Sequence, residues 1–151
     1  MLPHLKAVEK GIQAIESYLK RIESDARLDE NGRCRLQINN VGVYVVVSPN
    51  VDKVVFKSFI NTLPDPATGK VLPLYYHLLD MNDEPDTGLA YFAIVASEEV
   101  GSPHDVISVE SKRPIIDISF EEFKACLDTV GEVSTRWMDR LEREFEAPRI
   151  P

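Results

Sequence analysis

Two segments of this chain are apolar on both faces of a β-strand, and that feature constrains the fold more than any other. Within Val41–Val47 the odd-numbered positions are all valine, and the positions between them include Tyr44 and Val46. Leu89–Ala96 is apolar or aromatic throughout. An antiparallel sheet with one face in water should instead alternate apolar with polar residues. Because each fully buried large apolar side chain contributes about 1.5–3 kcal/mol, we expect both faces of the sheet to be covered, one of them by a neighbouring molecule.

Two long amphipathic helices are predicted to cover one of these faces. In the N-terminal segment apolar residues recur at steps of three and four, which is the helical period. They are Leu5, Val8, Ile12, Ile15, Leu19, Ile22 and Ala26. The same spacing is compatible with a coiled coil of about three heptads, and a helix packed on a sheet explains it equally well.

The second long helix is predicted near the C-terminus, where particular residues mark its start. Ser119 suits the N-cap, and Glu122 stands three residues later, which is the capping-box spacing. Ile118 and Phe123 can form the accompanying hydrophobic staple. The stripe that follows at steps of three and four consists of Phe120, Phe123, Leu127, Val130, Ser134, Trp137 and Leu141.

The centre of the chain predicts five strands and one short helix. The strands are expected over 34–38, 41–47, 51–60, 89–96 and 106–109, and the helix over 71–81. Helices and strands are partly segregated in the order α-β-β-β-α-β-β-α, which favours an α+β fold over a doubly wound parallel sheet. We predict a twisted, mainly antiparallel five-stranded sheet packed by two long amphipathic helices and one short helix. Residues 1–147 are expected to form a single domain, followed by a C-terminal tail at 148–151.

The charge balance and the hydropathy disfavour several classes of protein. The 17 basic and 25 acidic residues give a formal net charge of −8, which disfavours contact with the phosphate backbone of nucleic acids. No apolar run approaches the roughly 20 residues that span a bilayer. The first residues, Met-Leu-Pro-His-Leu-Lys, lack the apolar core of a signal peptide. We therefore expect a cytoplasmic protein that binds neither nucleic acid nor membrane.

Residue patterns that would indicate catalysis or metal binding are not found. His4, His77 and His104 have no metal-ligand partner at helical spacing, and no glycine-rich nucleotide motif occurs. Cys34 and Cys126 lie far apart and outside any Cys-x-x-Cys pair, so we expect buried thiols. The sequence therefore predicts no catalytic residue, no metal and no cofactor.

Two alternatives stay open at this point. The chain could be a small-molecule sensor or a weak enzyme, with a pocket between the sheet and the short helix. His77, Asp80 and Tyr76 would then supply the polar groups of that pocket. The other alternative is a structural subunit of a larger complex.

The order of elements, the acidic charge and the closing amphipathic helix resemble those of the class I chaperones of type III secretion and the related YbjN-like proteins. Leu74–Asn82 (LYYHLLDMN) is similar to the Leu-Leu-x-x-Asn helix end of that family, and Gly88–Ala96 and Pro114–Leu141 also match. The resemblance implies a homodimer without catalytic residues. It also implies that an extended segment of a partner protein is held against apolar grooves on the first helix and the sheet. YbjN-like relatives share no single, well-defined activity.

We therefore predict a non-enzymatic, homodimeric module, chaperone-like or regulatory, that holds a partner segment on apolar sheet and helix surface. The residues expected to contact the partner are Leu36, Ile38, Val43 and Val45. The residues expected near the dimer contact are Leu74, Tyr75, Leu78, Tyr91 and Ala93. Glu9, Glu16 and Glu23 on the first helix would form an acidic rim that favours a basic partner.

Overall fold

A computed structural model describes residues 3–48, 50, 52–83 and 88–150 of the chain. Its elements are α1 (Pro3–Ile22), β1 (Arg33–Ile38), β2 (Val41–Ser48), β3 (Lys53–Thr62), α2 (Val71–Asn82), β4 (Tyr91–Val95), α3 (Ser97–Val100), β5 (Val106–Pro114) and α4 (Phe120–Phe145). A short 3-10 helix at Pro66–Thr68 precedes α2. The predicted α+β class and order of elements are confirmed, with α3 as an additional short helix.

The five strands form one antiparallel sheet in the order β1-β2-β3-β5-β4. Strands β1 and β4 are therefore its edges. One face packs against α1 and α4, where the rings of Phe56 on β3 and Phe123 on α4 lie 5.2 Å apart. The helix α2 packs beside α4, and its Leu74 and Leu78 belong to the same core. The three longer helices thus form a layer on one side of the sheet.

The start of α4 follows the predicted capping box. The Ser119 hydroxyl accepts a hydrogen bond from the Glu122 amide at 3.1 Å, and the Glu122 carboxylate accepts one from the Ser119 amide at 3.5 Å. These contacts satisfy backbone donors that the first helical turn leaves without partners. The positions predicted for the hydrophobic staple, Ile118 and Phe123, are both buried.

The strand β5 is longer than the sequence predicts. It continues past Val109 to Pro114, and its buried residues include Ser108, Glu110 and Ser111. These polar side chains interrupt the apolar pattern although the backbone still pairs with β3. The prediction ended the strand at Val109 because burial of polar residues depends on partners that lie elsewhere in the chain.

The C-terminal tail runs along β3. The Thr62 amide donates to the carbonyl oxygen of Pro148, and the Ile150 amide donates to the carbonyl oxygen of Ile60, each at 2.9 Å. Asn61 is fully buried and its side-chain amide donates to the carbonyl oxygen of Ala147 at 2.9 Å. The tail is therefore held beside a part of β3 that has turned away from β2.

Candidate protein-binding surfaces

The sheet face opposite the helices is open over β1, β2 and β3. Along β2, buried residues alternate with the half-buried Tyr44 and Val46. Arg33 and Arg35 of β1 lie across from Val46 and Tyr44 and are exposed on the same side. The strand β2 is thus apolar on both faces, but the chain's own helices cover only one of them and leave the second accessible.

Phe59 of β3 lies at the centre of this open face. Three adjoining hollows of about 620, 520 and 360 Å³ all include Phe59 in their walls, and the ring of Tyr44 lies 5.8 Å from its ring. Further apolar wall residues are Val46, Val95, Val100 and Ile150. We call these three hollows the Phe59 groove. A contiguous recess of this kind is typical of a surface that binds another molecule.

Three of the four residues predicted to contact a partner lie in the core instead. Leu36, Val43 and Val45 are at most 2% exposed and pack beneath the helices. Ile38 is half-buried and packs against the same core. An apolar pattern on both faces of a strand cannot show which face the helices cover, and contact of these four residues with a partner stays a prediction.

A second apolar surface is formed by α2 and the edge strand β4. Leu72, Tyr76 and Leu79 are 62%, 65% and 68% exposed, and their spacing places them on one stripe of the helix. Ile94 of β4 is 39% exposed. A hollow of about 440 Å³ separates α2 from β4, and none of its wall residues is charged. We call the stripe, Ile94 and this hollow the α2–β4 patch.

Asn82 at the end of α2 fixes the geometry of this patch. Its side-chain nitrogen donates to the Phe92 carbonyl oxygen at 3.0 Å, and its side-chain oxygen accepts from the Phe92 amide at 2.6 Å. A side chain thereby satisfies two backbone groups on the unpaired side of the edge strand. The asparagine of the Leu-Leu-x-x-Asn pattern therefore connects α2 to β4 by hydrogen bonds. It also occupies the backbone groups of one edge position, which are then not available to pair with another strand.

The residues predicted near the dimer contact separate into three environments. Leu74 and Leu78 are 0% and 5% exposed and belong to the core, although Leu78 also borders the hollow of the α2–β4 patch. Tyr75 and Ala93 line that hollow. Tyr91 lies on the open sheet face, where its hydroxyl is 3.4 Å from a carboxylate oxygen of β5. The participation of these residues in a dimer stays a prediction.

None of the hollows described above has His77, Asp80 or Tyr76 in its walls. The His77 ring packs 5.3 Å from the Trp137 ring and 5.0 Å from the Phe145 ring. Its Nε2 atom is buried without a hydrogen-bond partner among the described residues. Asp80 and Tyr76 are exposed on α2. His77 therefore connects α2 to α4 by packing.

The environment of His77 predicts that mild acid destabilises the folded protein. Burial lowers the pKa of His77 below its ordinary value of 6.5, opposed by the Glu144 and Asp80 carboxylates and reinforced by Arg140. The unfolded chain therefore binds this proton more readily than the folded chain. We expect the free energy of unfolding to fall as the pH drops below 6.5. His77→Phe should remove the part of this decrease that comes from protonation of His77. Chemical denaturation at a series of pH values measures the free energy of unfolding of both proteins.

His104 provides the control for that experiment because it is exposed. His104→Gln should keep the pH dependence of the wild type. Identical profiles for the wild type and His77→Phe would show that His77 does not couple protonation to folding.

Both cysteines are free thiols buried in the core, as expected from the sequence. Burial raises the pKa of Cys34. Within the described ranges, no group of three or more His, Cys, Asp or Glu side chains is arranged to hold a metal ion. No helix in the same ranges combines the length and the apolarity needed to cross a membrane.

Comparison with known proteins relates this geometry to one family. The sequence model of the Tir chaperone protein (CesT) family matches residues 13–100. The matched segment contains the second half of α1, strands β1 to β4 and the whole of α2, including Asn82. No curated protein sequence matches the chain.

Several solved structures share the fold at low sequence identity. A chain of the ExsC–ExsE complex is similar with a TM-score of 0.63 and 16% identity, covering 87% of this chain and 93% of that chain. YbjN from E. coli gives 0.62 and 11%, covering 92% and 95%. A chain of the ExoU–SpcU complex from the type III secretion system of Pseudomonas aeruginosa gives 0.61 and 17%, covering 85% and 98%.

Proposed function

The chain belongs to the Tir chaperone protein (CesT) family, and from this premise we propose that it is a non-enzymatic, chaperone-like module that binds a segment of a partner protein. The Phe59 groove docks the segment, and the α2–β4 patch joins two copies into a homodimer. Chains of the same fold occur in complexes with protein partners, among them the HopA1–SchA chaperone–effector complex and ExsC–ExsE.

The observation that carries this proposal is the accessible Phe59 groove on the sheet, whose walls combine apolar and polar side chains. The strand register shifts between Phe59 and Asn61, and the described pairing of β2 with β3 stops at Tyr44 and Lys57. The tail lies beside the separated part of β3. Irregular pairing thus makes a recess, while the hydrogen-bonded backbone around it keeps the recess in shape for a ligand.

The α2–β4 patch supplies the dimer contact. The stripe of Leu72, Tyr76 and Leu79 is exposed, and the hollow beside it shares no wall residue with the Phe59 groove. In a twofold dimer the same stripe meets its copy, so one apolar surface is sufficient for both subunits. Stable interfaces of this type bury about 800 Å² on each partner. Dimerisation would therefore leave both grooves free for partner segments.

Selection from a random peptide library displayed on phage tests the docking function without knowledge of the partner. Peptides enriched on the wild-type protein should bind the Phe59→Ala variant at least about tenfold more weakly, because central aromatic anchors dominate peptide affinity. Fluorescence polarisation with the synthesised peptides measures the change.

Leu5→Ala is the matched control, since Leu5 is 50% exposed on α1 and outside the groove. It should leave peptide affinity unchanged, and so should His77→Phe. Enriched peptides that bind Phe59→Ala as tightly as the wild type would contradict docking in the groove. A failure to enrich any peptide would contradict the protein-binding function.

A further inference from the structure

We propose that the segment held in the Phe59 groove is acidic, an inference that rests on the proposed docking function. The walls of the groove contain four basic residues, Arg33, Arg35, Lys57 and Arg149, and a single carboxylate, Glu99. The chain as a whole carries a net charge of −8. The groove is therefore locally basic on an acidic protein, and its charge specifies the chemistry of the occupant.

Three of these cations are available to a ligand. Arg33, Arg35 and Arg149 are exposed and form no salt bridge with any described carboxylate. The Arg35 guanidinium is 3.5 Å from the side-chain oxygen of Gln37, and the Arg149 guanidinium is 3.1 Å from the sulfur of Met138. Both of these partners are neutral. Lys57 differs, because its ammonium lies 4.0 Å from the Glu110 carboxylate. The unsatisfied positive charge is thus concentrated on the guanidinium groups.

The arrangement of these groups matches an amphipathic segment. Apolar side chains would fill the hollows beside Phe59, and carboxylates would meet the guanidinium groups at the rim, where arginine forms paired hydrogen bonds with carboxylate oxygens. Arg33 and Arg35 are two residues apart on β1, so they lie about 7 Å apart along the strand. Carboxylates two residues apart on an extended segment have the same separation.

The acidity of the rest of the chain does not reverse this preference. Glu9 and Glu16 belong to α1 and Glu23 follows its last residue, and α1 lies in the helical layer on the other side of the sheet. Exposed charges farther apart than about 8 Å are largely screened at physiological ionic strength. The basic partner expected from the acidic rim of α1 is therefore not the occupant of this groove.

Two designed peptides test the charge of the occupant directly. In the glutamate peptide, leucine or isoleucine alternates with glutamate or serine. The lysine peptide has the same sequence with every glutamate replaced by lysine. The glutamate peptide should bind the wild type at least about tenfold more tightly than the lysine peptide, and added salt should reduce the difference. Fluorescence polarisation of labelled peptides gives both affinities.

The double variant R33E/R35E should abolish or invert that preference, since it reverses both cations of β1. The control K6E/K10E makes the same change in total charge on exposed positions of α1, and it should change either affinity by less than about twofold. Equal loss in both double variants would show that total charge, and not the groove, determines the preference.

The remaining outcomes separate this inference from the proposed function. Tighter binding of the lysine peptide, or equal binding of both peptides with loss in Phe59→Ala, would overturn the acidic occupant and retain the docking function. Binding of neither designed peptide would overturn the acidic occupant alone if library peptides still bind through Phe59, and it would overturn both proposals if the library also yields no peptide. A single-stranded oligonucleotide that binds through Arg33 and Arg35 more tightly than the glutamate peptide would assign the groove to nucleic acid instead.

Discussion

Gly11→Ala is expected to lower the free energy of unfolding by about 1–3 kcal/mol, although alanine is the better helix former. Gly11 is buried in the middle of α1. A Cβ atom there would lie 2.6 Å from the carbonyl oxygen of Ile115 and would overlap its Cγ2 atom. The backbone at Ile115 cannot shift freely, because its amide donates to the Asp52 carbonyl oxygen at 2.9 Å.

The sign of the effect distinguishes this contact from helix propensity. A glycine in an open helical position should gain about 1 kcal/mol on replacement by alanine. Ser17→Ala on the exposed side of α1 is the control and should stay within about 0.5 kcal/mol of the wild type. Urea denaturation followed by circular dichroism measures both changes. Stabilisation by Gly11→Ala would show that α1 does not approach the segment after β5 this closely.

The helices could be predicted from the sequence because their signals are local. The capping box at Ser119 and Glu122 requires only four consecutive residues, and the stripe of α1 repeats over several turns. Burial of Leu74, Leu78 and Met81 on α2 also follows the predicted helical spacing. The spacing alone could not show that these three residues pack in the chain's own core, or that the opposite side of α2 is exposed.

The Phe59 groove could not be predicted because it depends on contacts between distant parts of the chain. Its floor and walls come from all five strands, α3, α4 and the tail. Phe59 itself looks like an ordinary core residue of a strand, and the sequence does not show that the alternation along β3 places it on the open face, on the same side as Lys57. The positive charge of the groove also could not be predicted, because its basic residues are scattered over 33–149 in a sequence with an excess of acidic residues.

Leu79→Glu is expected to raise the dimer dissociation constant by at least about a hundredfold. Leu79 is 68% exposed in the single chain, so the substitution should change the stability of the monomer little. In the proposed dimer it would place two carboxylates in one apolar contact, where neither has a partner of opposite charge. Sedimentation velocity over a concentration series measures the dissociation constant.

The control tests whether the α2–β4 patch itself is responsible. Leu5→Glu introduces the same charge at another exposed leucine, on α1, and should leave the dimer intact. A wild-type protein that stays monomeric at high concentration, or a Leu79→Glu variant that dimerises as tightly as the wild type, would contradict dimerisation through this patch. Because the patch and the Phe59 groove lie on different faces, Leu79→Glu should still bind the peptides selected on the wild type. Loss of both properties together would instead indicate that the partner segment spans the two subunits.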